Sequence, residues 1–165
     1  MPEKKTIKRA NQAKREGKSA STQASEFVRE EIENIREGKH GARSAKQAIA
    51  IGLSKARRAG VKLRPPKKGQ ASAKTIKSAK QALRKGQKHE PVSTTRSRAT
   101  VRALKREGKA SVSRQALSRQ AHAAAKKRTA SQRSASAKQA AKTKGPRQRS
   151  QAAKKAARTR ARHRR

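Results

Sequence analysis

The chain has no cysteine, no tryptophan and no tyrosine, and Phe27 is its single aromatic residue. All its acids are glutamate; aspartate is absent. Each absence removes a class of function. Without cysteine there is no disulfide, thiolate metal site or thiol chemistry. Without aromatic pairs there is no base-stacking platform of the RNA-recognition or OB type. Without aspartate, none of the histidines (His40, His89, His122, His163) has that orienting partner, and each stands among basic residues that repel a divalent cation. No catalytic residue, metal site or cofactor is therefore expected, and the chain is not read as an enzyme. Long apolar runs are missing too: no window approaches the roughly 18 apolar residues of a membrane helix. The stretch MPEKKTIKRANQAKREGK lacks the apolar region of a secretory signal. An acidic membrane surface is disfavoured as a partner, because bulky apolar residues opposite a basic face are scarce.

What the chain does have is positive charge. Its 165 residues carry 49 Lys and Arg against 9 acids, a formal net charge of +40. Hydrophobic residues make up 30%, most of them alanine. Such a composition buries little area and stays open unless a partner neutralises it. The charge is unevenly placed. Residues 1–37 hold seven of the nine Glu and nine Lys and Arg, whereas no acid occurs from Ala110 onward. A polyanion is the expected partner. Duplex DNA carries one charge per about 1.7 Å, so the net charge of +38 beyond position 37 matches at most about 19 base pairs.

The pattern divides the chain into a basic N-terminal arm (1–24), a helical hairpin head (25–64) and a Lys/Arg/Ala/Ser-rich basic tail (65–165). In the head, Ser25 is placed as the cap of a first helix on which Val28, Ile32 and Ile35 share a face bordered by Phe27. Its glutamates, Glu26, Glu30, Glu31, Glu33 and Glu37, read as a solvated or ion-paired face. Gly38 ends this helix and Ser44 caps the next. There Ala45, Ala48, Ile49, Gly52, Leu53 and Ala56 form one stripe, whose small members let another helix approach closely. Gly60 closes the second helix, Val61 and Leu63 fold back over it, and Arg64-Pro65-Pro66 stops regular structure. Bulky apolar residues are too few for this hairpin to stand alone, so Val28, Ile32, Ile35, Ile49 and Leu53 are read as a docking face for a second copy of the head or for part of the tail.

The tail repeats a theme. SAKQAI (44–49) recurs as SAKQAL (78–83), VSRQAL (112–117) and SAKQAA (136–141). KREGK occurs at 14–18 and 105–109, and IREGK at 35–39. This predicts short helices ended by glycine and restarted after serine or threonine, over 73–85, 95–107, 113–128, 136–143 and 151–163. Like charges at i and i+4 oppose them. The expected fold class is therefore all-α: a short helical hairpin head, then a largely disordered or conditionally helical tail that gains helix on binding. Gly17-Lys18-Ser19 is not a phosphate-binding loop, since Gln12 stands where that motif needs its first glycine. The KGPRQR stretch lacks the Arg-Gly-Arg-Pro core of a minor-groove hook.

KQAIAIGLSKARRAG (46–60), preceded by REGKHG, resembles the signature of a small bacterial domain family of unknown function with a K-Q-A-I-A-I-x-L-S-x-A-R core. The likeness covers residues 26–64; the loop KHGARSA is shorter than that family's usual Gly/Ser loop. Members often carry basic tails, so the resemblance implies DNA binding. SAKQAAKTK and SQAAKKAARTRARHRR are similar in composition to the Lys/Ala-rich tails of linker-histone-like proteins, without their Ser-Pro-x-Lys repeats or winged-helix domain.

The function expected is a histone-like, sequence-nonspecific DNA-binding protein of the cytoplasm and nucleoid that neutralises and compacts or bridges DNA. A structural RNA-binding or ribosome-associated protein is the alternative. The cations expected to grip phosphate are Arg114, Arg119, Lys126, Lys127, Arg128, Arg133, Lys138, Lys142, Lys144, Arg147, Arg149, Lys154, Lys155, Arg158, Arg160, Arg162, Arg164 and Arg165. Self-association through the hairpin is the second expected contact.

Overall fold

Serine and threonine start every α-helix of this chain but the first, which follows Glu3. In the computed structural model, which describes residues 2–88, 90, 91 and 93–163, Ser19, Ser44, Ser72, Ser93, Ser113 and Thr129 each accept a hydrogen bond from the backbone N–H three residues on. That bond satisfies one of the free donors at a helix start. The elements are α1 (Lys4–Arg15), α2 (Ala20–Arg36), α3 (Ala45–Arg58), α4 (Ala73–Gln87), α5 (Thr94–Lys105), a 3₁₀ turn (Ala110–Val112), α6 (Arg114–Lys126) and α7 (Ala130–His163). Among the described residues the only β pairing is an isolated bridge between Lys68 and Ala71. The chain is thus all-α. It divides into two compact units, residues 1–122 and 123–165.

In the first unit, α2 packs on α3, α1 on α2, and α4 on α3. The buried stripe of α3 is Ala45, Ala48, Gly52 and Ala56, with Ile49 and Leu53 half-buried beside it. The stripe is the one its helical spacing gives. Gly52 lies against the backbone of α2: a Cβ there would stand 2.7 Å from Val28 Cα and 3.0 Å from the Phe27 carbonyl. On α4, Ala79, Ala82 and Gly86 are buried, and a Cβ on Gly86 would overlap the Arg57 carbonyl. Two small apolar clusters result. Phe27, Ala10, Ala24, Ala56 and Val61 form one, with Leu53 and Leu63 against it; Ile35, Ala42, Ala48 and Val112 form the other, with Ile32 beside it.

α2 differs from its expected form in two ways. It begins at Ala20 behind a Ser19 cap, and Ser25 lies inside it, its hydroxyl donating to the Thr22 carbonyl at 2.6 Å. Its buried face runs through Ala24, Phe27, Glu30, Glu31, Asn34 and Ile35, which centres on Phe27 and leaves Val28 and Ile32 at the margin. The apolar periodicity of Val28, Ile32 and Ile35 misplaces the face because polar residues occupy part of its centre.

Past α3, Gly60 takes a left-handed φ of 90° and reverses the chain, and Val61 returns to the core. Arg57 fastens this return. Its Nε donates to the Leu63 carbonyl at 3.2 Å and an Nη to the Arg64 carbonyl at 3.3 Å. The guanidinium is buried without a carboxylate, and burial lowers its pKa from the ordinary arginine value.

The largely disordered tail expected from charge is corrected by the structure, which is helical over α4, α5, α6 and α7. The balance of local terms explains it. Alanine, lysine, arginine and glutamine are strong helix formers, and each start carries a hydroxyl cap. In α7 only three like-charge pairs stand at i and i+4, Lys138–Lys142, Lys154–Arg158 and Arg158–Arg162. Each costs only about 0.2–0.5 kcal/mol. Gly145, at φ 67° and ψ 170°, breaks α7 just before Pro146, so it is two helical arms in sequence.

The close seam at Gly52 gives a stability prediction. Gly52→Val introduces atoms where the α2 backbone already lies, and overpacking of this kind costs about 1–3 kcal/mol. The melting temperature followed by circular dichroism should fall by roughly 5–10 °C. Gly108→Ala, at a position with no neighbour within 4 Å and no left-handed φ, should melt within a degree or two of the parent.

Candidate nucleic-acid interface

Alanine positions the basic side chains by what it leaves uncovered. In the second unit the described cations, Lys126, Lys127, Arg128, Arg133, Lys138, Lys142, Lys144, Arg147, Arg149, Lys154, Lys155, Arg158, Arg160 and Arg162, are all exposed. None pairs with a carboxylate, since the unit contains no acid. Successive helical residues turn by about 100°, so Arg147, Lys154, Lys155, Arg158 and Arg162 lie within one arc of about 100°. Arg149 and Arg160 point to the other side. Arg128 is held locally, one Nη donating to the Gln132 carbonyl at 2.9 Å and to the Ser136 hydroxyl. Arg164 and Arg165 lie outside the described residues.

Arg114 and Arg119 belong to the first unit and are likewise exposed. They line two adjoining recesses on α6, one of which also takes in Arg36 and Lys109. Sequence reasoning did not single out those two cations. Arg36 ends a glutamate-rich helix, which hid it; the recurrence of REGK at 36–39 and 106–109 was the available signal.

Of the residues expected to form a docking face, Ile35 is covered fully by the chain itself and the other four in part. Ile35 is fully buried with Ala42, Ala48 and Val112, Ile32 packs beside them, and Leu53 packs on the Phe27 cluster. Val28 and Ile49 are half-buried. The tail supplies the missing cover: Val112 comes from the 3₁₀ turn, and the small face of α4 lies on α3. Ile35 is therefore closed to a second copy of the chain.

Of the glutamates read as a solvated or ion-paired face, Glu33 and Glu37 are exposed and Glu26 pairs with Arg9 and Arg29, but two lie inside the fold. Glu30 and Glu31 are buried, at 4% and 0% exposure. Lys55 Nζ lies 2.6 Å from one Glu31 oxygen, and His40 Nε2 lies 3.4 Å from the other. The Glu3 backbone N–H donates to Glu30 at 3.2 Å, and Lys55 also stands 4.0 Å from Glu30. The His40 side chain is largely enclosed, its Nδ1 within 3.1 Å of the Gly41 carbonyl. The spacing Phe27–Glu31–Ile35, i, i+4 and i+8, was the signal that Glu31 faces inward. With Glu31 closed to solvent, this cluster fastens α2, α3 and the 40–42 turn together. Among the described residues no group of three or more His and Glu side chains is arranged to hold a metal ion. No helix there is long and apolar enough to cross a membrane.

Removing the cation from this cluster should be costly. Lys55→Met leaves Glu31 buried with His40 as its one remaining ion-pair partner, and breaking a buried pair costs about 3 kcal/mol or more. Urea denaturation should show that loss as a lowered midpoint. The double variant Glu31→Gln/Lys55→Met should recover part of it, since the fully buried Glu31 then carries no charge while Glu30 keeps the Glu3 N–H.

The comparisons with known proteins add one relation. Residues 11–69 match the model of a family of unknown function, DUF6496. No curated protein and no solved structure matches the chain. The matched region spans the last five residues of α1, all of α2 and α3, and the turn that closes α3, so the similarity to that family covers the two helices that carry Glu31, Lys55 and Phe27.

Proposed function

We propose that the protein is a non-enzymatic, histone-like nucleic-acid-binding protein that holds duplex DNA by its sugar-phosphate backbone without reading sequence, and that it resides with the nucleoid. One observation carries the reading. From Ala110 to the C-terminus eighteen Lys and Arg occur with no acid, and those described are exposed, all but Lys127 and Arg128 on helices, with no carboxylate partner. Eighteen charges match about 9 base pairs of duplex at one charge per about 1.7 Å. Each bound cation releases condensed counterions, which gives affinity and no base preference. Arginine's planar fork suits phosphate oxygens. The break at Gly145-Pro146 lets two basic arms of α7 follow the backbone in different directions, as compaction or bridging requires.

A gel shift on unrelated duplexes at rising sodium chloride tests this. The logarithm of the binding constant should fall linearly with the logarithm of salt, by about 0.9 per phosphate neutralised. Replacing Arg158, Arg160 and Arg162 by glutamine should flatten the slope by up to about 3. Affinity unchanged between low and physiological salt, or tight preference for one short sequence at half-molar salt, would overturn the reading. Preference for structured RNA over duplex DNA in competition would replace DNA with RNA as the partner.

A further inference from the structure

The two recesses beside α6 share Arg114. One, of about 330 Å³, is lined by Arg36, Lys109, Val112, Ser113 and Arg114. Its neighbour, of about 410 Å³, is lined by Arg114, Gln115, Ser118 and Arg119. No acid lines either one. The four cations come from three parts of the first unit: the last residue of α2, the connection after α5, and the first two turns of α6.

One of these side chains is held in place. An Nη of Arg36 donates to the Val112 carbonyl at 3.3 Å. That leaves most of its five N–H donors free. Lys109 lies over the end of α2, close enough that a Cβ on Gly38 would stand 2.6 Å from its Nζ. Elsewhere in the same unit Arg9, Arg29, Lys39, Lys55 and Lys85 find glutamate partners. Among the described residues Arg36, Lys109, Arg114 and Arg119 have none. Gathering uncompensated cations around a recess is repulsive until an anion enters it. The start of α6 is not what would hold that anion, because Ser113 Oγ already accepts from the Ala116 N–H at 3.2 Å.

We propose that the adjoining recesses form a discrete phosphate seat, with Arg36 and Arg114 as forks, Lys109 and Arg119 as flanking charges, and Ser113, Ser118 and Gln115 as neutral donors. This site goes beyond the diffuse grip assigned to the acid-free tail. It lies in the first unit and uses two cations, Arg36 and Lys109, from outside that run. Its ligand chemistry is a phosphate oxyanion, which two sources supply: an internal phosphodiester of a nucleic acid, or free phosphate.

Nitrogen-15 NMR of the arginine Nε–Hε groups in the full-length chain tests the seat. One arm titrates inorganic phosphate against chloride at constant ionic strength. The other titrates a short duplex lacking terminal phosphates. Arg36 and Arg114 should shift together and saturate, while Arg133 and Arg158 drift without saturating in the phosphate arm. Arg114→Gln, at an exposed position that leaves the core intact, should weaken the saturating step about tenfold or more. Arg36→Gln should do the same. Saturation in the duplex arm alone identifies a phosphodiester as the ligand; saturation in both admits free phosphate as well. Parallel, unsaturating shifts of all arginines in both arms would overturn the seat, as would an Arg114→Gln titration identical to the parent. Failure of salt-dependent duplex binding by α7 would leave the phosphate arm standing, so the two readings fall separately.

Discussion

The first unit depends on backbone-to-backbone approach. A chain with one aromatic residue and few large aliphatics cannot fill the wide gap between ordinary helices with side chains. It closes the gap instead. Gly52 lets α3 reach the α2 backbone, and Gly86 brings α4 to the Arg57 carbonyl. Alanines beside them, Ala45, Ala48 and Ala56 on α3 and Ala79 and Ala82 on α4, keep each seam narrow along its length. Dispersion contacts then come from main-chain atoms, which every residue has, and lose nothing to side-chain entropy. The same geometry explains the low tolerance expected at Gly52: in a narrow seam there is no flexible side chain to move aside.

The second constraint is the scarcity of acid. Seven of nine glutamates lie in the first 37 residues, and several are used inside the fold. Glu31 joins Lys55 of α3 to His40 of the following turn; Glu30 holds the backbone at Glu3; Glu26 stands 3.6 Å from Arg29 and 3.9 Å from Arg9. Buried pairing of this kind is weak as a source of net stability but strict about geometry, because removing one partner strands the other. The exposed glutamates pair only a few surface lysines, as Glu16 does Lys18, Glu37 does Lys39 and Glu90 does Lys85. Nine acids therefore leave most of the 49 cations uncompensated, including those of α6 and α7.

How far the sequence showed this depended on whether a local pattern or a tertiary contact decided the outcome. The α3 stripe, the Ser44 cap, the glycine stops at Gly38 and Gly60 and the return at Val61 and Leu63 are all local, and periodicity with cap chemistry was enough. The α2 face was read one position off because Glu30, Glu31 and Asn34 occupy it, and hydrophobic periodicity assigns such residues to solvent. Their partners Lys55 and His40 lie on other elements and have no local signature. The tail was misjudged for a different reason. Mean charge was allowed to outweigh propensity, although like charges in α7 meet at i and i+4 in only three places. Of the candidate site, the exposed cations of the acid-free run were legible residue by residue. Arg36 and Lys109 became visible only when α2 and the connection before α6 were brought together.

A helical tail changes what a polyanion meets. A disordered cationic chain must lose backbone freedom at about 1–2 kcal/mol per residue as it binds, and that loss is taken from the electrostatic gain. On α7 the backbone is already set, and the rise of about 1.5 Å per residue fixes the spacing of its charges along each arm. Lys154, Arg158 and Arg162 therefore stand about 6 Å apart along the axis, near two phosphate steps of about 3.4 Å each on one strand. Alanine sits between them without covering them. The composition that denies this unit a large core is thus the composition that presents charge at regular intervals on a preformed support. The single irregularity, at Gly145-Pro146, falls between the arms and not within either, so the backbone can change direction there without disturbing the spacing on which charge matching depends.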